Sequence, residues 1–218
     1  SKVIGAGELM DINSITRALA SKVTPTLPYP QFMSVIPNDV LTAYGEGCLE
    51  LRRQKVKEGS YDHFVDKQLS NFFFLGLIHE LFPNAKIINV HRNPLDSCLS
   101  CYFSHFSEGV NFAFDLRNLG IIYNIYQDLM RHWRCLLGDQ IYDIQYEDFV
   151  NDQEACTREL LTYCGLEWEE GCLTYHKTER SVNTASLWQV RQPVYKRSVA
   201  RWRNYEKHLQ PLIDTLQS

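Results

Sequence analysis

The 218-residue chain has no glycine-rich phosphate loop, no Walker lysine pattern and no apolar run near the roughly 20 residues that span a bilayer. A membrane-spanning helix is therefore not expected, and Ser1 to Met10 lack the layout of a signal peptide. Zinc-finger and HExxH spacings are missing too. His79-Glu80 has no second histidine, so the seven histidines predict no metal site. No GxSxG elbow marks a hydrolase nucleophile. Cys98-Leu99-Ser100-Cys101 has no partner CxxC, and core packing of the two thiols is the better reading. An odd total of seven cysteines, scattered through apolar segments, suits a reducing compartment and predicts a cytoplasmic protein without a disulfide framework. Charge of one sign is also lacking: 22 basic residues against 26 acidic ones leave a net charge of −4. That balance argues against a nucleic-acid coat while leaving room for a local basic pocket.

What remains is ordinary globular material, with 44% hydrophobic and 22% charged residues and no internal repeat. The length predicts one domain over residues 1–218. Pro25 to Pro37 interleaves prolines with aromatic and aliphatic residues and reads as a surface loop. Helices are expected from Asn38 to about Lys57 and from Leu69 to Leu81, the latter stopped by Phe82-Pro83-Asn84. Ala85 to Val90 is a β-branched run that reads as a buried strand, followed at once by the helix start Asn93-Pro94. Further expectations are a long helix from Leu116 to Leu137, a strand from Ile141 to Tyr146, a helix from Glu154 to Cys164 capped by Gly165, and a last helix from Ser198 to Leu209, before Pro211. Helix and strand alternate, which predicts an α/β fold with a parallel sheet flanked by helices. Ligands in such sheets sit outside the carboxyl ends of the strands, so the segment after Val90 is the first place to look.

That segment, His91 to Ser100, leaves a strand and enters a helix. Free amides at a helix N-terminus attract anions, Arg92 offers a planar fork for phosphate, and Ser97 and Ser100 share one helix face. Pairing of Arg92 with Asp96, with the serines merely solvated, explains the same residues, and the residues alone do not choose between the two.

Phe82-Pro83-Asn84-Ala85-Lys86-Ile87-Ile88-Asn89-Val90-His91-Arg92-Asn93-Pro94-Leu95-Asp96 resembles the 3′-phosphate-binding segment of sulfotransferases. Tyr146-Glu147-Asp148-Phe149-Val150, Gly165-Leu166-Glu167-Trp168, and Thr184 to Tyr195 leading into Ser198 to Arg203 follow in the family's order. The pattern is most similar to bacterial tetratricopeptide-repeat-associated and tyrosylprotein sulfotransferases and runs from Val3 to Leu216. The resemblance implies a P-loop-NTPase-like fold and a 3′-phosphoadenosine 5′-phosphosulfate donor, released as adenosine 3′,5′-bisphosphate without a metal. Its acceptor would be a hydroxyl or phenol on a small molecule, a sugar or a peptide tyrosine. It implies no nucleic-acid or membrane partner and leaves homo-oligomerisation open.

Carried onto this sequence, the resemblance gives Arg92 and Ser100 the 3′-phosphate, with Arg201 as a further basic contact. Tyr146 falls beside the nucleotide and Ser186 near the sulfate bridge. Lys67 corresponds to the lysine at the leaving oxygen, and Glu8 to the acceptor's base. The family's 5′-phosphosulfate loop has no counterpart here. This implies an N-terminally incomplete sulfotransferase-like domain whose sheet lacks its first strand, with turnover well below about 1 per second. A non-catalytic nucleotide-binding or interaction module derived from the same fold is the alternative; a kinase-like enzyme is disfavoured by the absent Walker lysine.

Overall fold

The structure, a computed structural model, describes residues 3–23, 27–55, 61–104, 106, 110–177 and 191–217. The chain divides into two compact units, Ser1–Ala85 and Lys86–Ser218. Each is built on one parallel strand pair whose strands are joined through helices, the βαβ arrangement expected of the sequence.

In the first unit, β1 (Val3–Gly7) runs parallel to β2 (His63–Asp66). Neither strand is foreseen by the sequence reading. Two of the five residues of β1 are glycine, and β2 is only four residues long with three of them exposed, so neither shows an alternating pattern. Pairing with each other, rather than local propensity, makes them strands. The register slips between Gly5 and Gly7, where Gly7 takes φ +78°, a conformation glycine adopts without the cost other residues incur.

Helix α1 (Asp11–Ala20) buries Ile12, Ile15 and Leu19 at helical spacing. They meet Phe32, Leu41 of α2 (Asn38–Lys55) and Leu77 and Leu81 of α3 (Leu75–Leu81) in one core. The helix expected over 69–81 is split. Residues Leu69–Phe74 form a 3₁₀ turn and the α-helix starts only at Leu75. Ser70, Asn71 and three successive phenylalanines are weak α-formers, which leaves the tighter turn.

In the second unit, β3 (Ile87–His91) pairs in unbroken parallel register with β4 (Ile141–Gln145), Ile87 opposite Ile141 and His91 opposite Gln145. Between them lie α4 (Pro94–Tyr102) and the 22-residue α5 (Leu116–Leu137). After β4 come α6 (Tyr146–Asn151) and α7 (Gln153–Cys164), the latter closed by Gly165 in a left-handed cap, as expected. Cys98, Leu99, Leu119, Leu209 and Leu212 form the core. Cys98 is 3% exposed and its burial pushes the thiol up to about 12, so it packs as an apolar residue. All seven cysteines are free thiols.

The single helix expected over 198–209 is absent. Val199 is extended, Ala200 turns left-handed at φ +56°, and a 3₁₀ stretch covers Arg201–His208. The last α-helix is α8 (Gln210–Gln217) instead, with Pro211 in its first turn, where a missing amide costs nothing. Among the described residues no helix is long and apolar enough to cross a membrane.

Candidate functional site

The carboxyl end of β3 passes directly into the site. Arg92 leaves the strand and Asn93 caps α4, its side chain accepting the amides of Leu95 at 3.0 Å and Asp96 at 3.2 Å. The Ser97 amide bonds the Asn93 carbonyl at 2.9 Å, Pro94 has none to offer, and the Asn93 amide donates to Glu147 at 3.0 Å. The sequence reading expects these amides to face an anion. They are engaged within the protein, which leaves side chains as the groups that could meet an anion.

Those side chains line a cleft of about 590 Å³ in the second unit, where Arg92, Ser100, Tyr146 and Arg201 come together with Arg197 and Ser198. Ser100, and not Ser97, is among its described lining residues. The Arg92 guanidinium lies over the Tyr146 ring, 4.9 Å from its centre. It donates to the Ser198 carbonyl and sits 3.8 Å from Asp96. The Arg92–Asp96 pair read as a rival to phosphate binding is therefore present, but within the cleft wall. Arg92 Nε is buried without a partner, a donor a ligand oxygen could satisfy. Arg197 packs over Tyr195 at 4.4 Å and Arg201 over Phe103 at 5.3 Å. Among the described residues neither guanidinium is drawn into an ion pair, so both keep their charge for a ligand.

Neighbouring ionisable groups respond to the same surroundings. Burial pushes the Tyr146 phenol up, against the pull of Arg92. Burial works to raise Glu147, but the Asn93 amide, the Gln145 side chain, its own amide and the Arg92 charge together hold the carboxyl below its usual range.

Glu8 and Lys67 belong to the first unit. Glu8 follows β1 and Lys67 follows β2, so parallel pairing brings both to the carboxyl ends of their strands. Their side chains form an ion pair and stay half-exposed, Lys67 at 51% and Glu8 at 43%. The Lys67 amide continues the ladder to the Gly7 carbonyl at 2.8 Å. Asp66 fixes both strand exits, accepting the amides of Leu9 at 3.1 Å and Gln68 at 3.0 Å. Ser186 lies outside the described residues.

Sequence reasoning did not single out Arg197, Ser198 or Tyr195, and treated Asp96 only as a competitor for Arg92. The run Tyr195-Lys196-Arg197-Ser198, entering the segment that holds Arg201, is the signal that could have marked the first three. Among the described residues no cluster of His, Cys, Asp or Glu could hold a metal ion.

Fold and cleft together define an α/β protein with an arginine-lined cleft at the carboxyl end of a parallel strand. The chain belongs to the sulfotransferase family: residues 11–170 match the model described as "Sulfotransferase family". A protein of Aquifex aeolicus (strain VF5), described only as uncharacterized, is 38% identical over 224 residues, which take in 100% of this chain and 29% of that protein. The chain thus spans under a third of the length of that relative. The sulfotransferase domain of the Synechococcus PCC 7002 olefin synthase superposes with a TM-score of 0.58 at 19% identity, over 96% of this chain and 70% of that one. At that identity the likeness is one of fold.

Proposed function

We propose that this chain handles 3′-phosphoadenosine 5′-phosphosulfate as sulfuryl donor and a hydroxyl or phenol as acceptor. The observation that carries the reading is the meeting of Arg92, Ser100 and Arg201 in one cleft, with the Tyr146 ring beside them. An arginine fork and a hydroxyl suit a terminal phosphate, and the unpartnered Arg92 Nε supplies a further donor. Three guanidinia, those of Arg92, Arg197 and Arg201, outnumber the nearby Asp96 and Glu147 carboxylates, and the excess positive charge complements a phosphate monoester dianion.

In the transfer, the acceptor oxygen bonds to sulfur as the bond to the bridging phosphate oxygen breaks. By the family resemblance, the carboxylate that takes the acceptor's proton would be Glu8, and the ammonium that meets the charge left on the phosphate would be Lys67. As in phosphoryl transfer, the protein's work is alignment and charge stabilisation rather than covalent chemistry.

Isothermal titration tests the donor assignment. Adenosine 3′,5′-bisphosphate binds the chain, whereas ATP, which has no 3′-phosphate, binds far more weakly. Glu8→Gln leaves that titration unchanged and lowers sulfuryl transfer relative to the unsubstituted chain. Equal affinity for both nucleotides would sink the assignment.

A further inference from the structure

Asp96 lies on the first turn of α4 with its side chain only 1% exposed, and its partners come from more than a hundred residues away. One carboxylate oxygen accepts the amide of Ala200 at 2.7 Å and the other that of Trp202 at 2.9 Å. Those amides flank Arg201, and Ala200 holds the left-handed φ of +56° that breaks the expected helix. A non-glycine residue stays there only when its surroundings hold it. The carboxylate therefore grips the turn that delivers Ser198 and Arg201 to Arg92 and Ser100.

We infer that Asp96 is a positioning residue for the phosphate cleft: it assembles the half made by Ser198–Arg201 onto the half made by Arg92 and Ser100. The inference rests on the proposed 3′-phosphate reading for its functional meaning, and on geometry alone for the latch itself.

Charge and position predict opposite signs, which makes the claim decidable. Removing a carboxylate from the wall makes the cleft more positive, so electrostatics alone predicts tighter anion binding in Asp96→Asn. An asparagine can accept only one of the two amides and turns its own N–H₂ donors toward the other, so the latch predicts weaker binding.

The test measures adenosine 3′,5′-bisphosphate affinity by calorimetry, well below the melting temperature, together with amide exchange at Ala200 and Trp202. Asp96→Asn is expected to expose both amides to exchange and to weaken binding by about ten- to a hundredfold, as for a lost charge-assisted hydrogen bond. Adding Ala200→Gly, which adopts the left-handed turn without strain, is expected to recover part of the affinity. A purely structural role would lower the melting temperature but leave the affinity of the folded protein intact. Unchanged or tighter binding by Asp96→Asn overturns the inference. Should that variant not fold, Ala200→Val, whose branched side chain resists φ +56°, must weaken binding in the same way, and full affinity there overturns it. If the unsubstituted chain fails to bind the nucleotide, the donor reading falls while the latch is still judged by exchange: retained protection in Asp96→Asn refutes it and lost protection supports it.

Discussion

A carboxylate that accepts several hydrogen bonds in the folded chain makes stability depend on pH, and Asp143 is the clearest case. Arg134 donates to it twice, at 2.8 and 2.7 Å, and Asn89 adds a bond at 2.6 Å. The Arg134 bonds outweigh burial, which works the other way, and with Asn89 hold the carboxyl below its ordinary value of 3.8. The folded chain therefore binds this proton less readily than the unfolded one. The stabilisation is complete above the ordinary value and is lost as pH falls through the folded one. Denaturant melts between pH 5 and about 3 are expected to show falling stability, with a shallower fall in Asp143→Asn; equal slopes would contradict this. Single residues also limited what could be read in advance. Arg92, Ser100, Tyr146 and Arg201 sit in recognisable runs, and the structure brings the four into one cleft. The place of Asp96 was not legible, because it depends on amides more than a hundred residues away that no local pattern announces.

Helix packing sets two glycines against close neighbours. A Cβ built on Gly45 of α2 would lie 2.2 Å from the Leu81 carbonyl oxygen at the end of α3, which is backbone and cannot rotate away. On Gly120 of α5 it would lie 2.8 Å from both Cβ and Cγ2 of Thr215 in α8; the methyl can rotate but Cβ moves only with its helix, a milder clash than the one at Gly45. Gly120→Ala is expected to cost about 1–3 kcal/mol in chemical denaturation, and Gly45→Ala more, with loss of the first unit's cooperative transition as the limit. Reversal of that order would mean that α3 yields to α2 more readily than α8 yields to α5. Element type followed local pattern where the pattern was strong. Helices α2 and α5 and strands β3 and β4 lie within a few residues of expectation, since each carries either sustained helical periodicity or a β-branched run. Strands β1 and β2 were illegible because glycine and exposure erase alternation. The helix expected over 198–209 was misread because the Ala200 and Trp202 amides bond to Asp96, which favours a left-handed turn and a 3₁₀ stretch there.

Taken whole, the chain carries a net charge of −4, yet three arginines, Arg92, Arg197 and Arg201, line its cleft. Local field rather than total charge governs a ligand at contact distance, because salt screens charges more than about 10 Å away at 0.1 M. The βαβ organisation was readable from the alternation of elements. Its realisation as two separate strand pairs was not, since pairing partners are set by contacts far apart in sequence.

The central claim is that Arg92 and its neighbours hold a 3′-phosphate, and a double cycle tests it most directly. Adenosine 3′,5′-bisphosphate and adenosine 5′-monophosphate are each titrated into the unsubstituted chain and into Arg92→Ala. The substitution is predicted to cost the bisphosphate about 1.5–3 kcal/mol, as for hydrogen bonds to a charged group, and to cost the monophosphate almost nothing. An equal loss for both nucleotides would place Arg92 away from the 3′-phosphate and contradict the account.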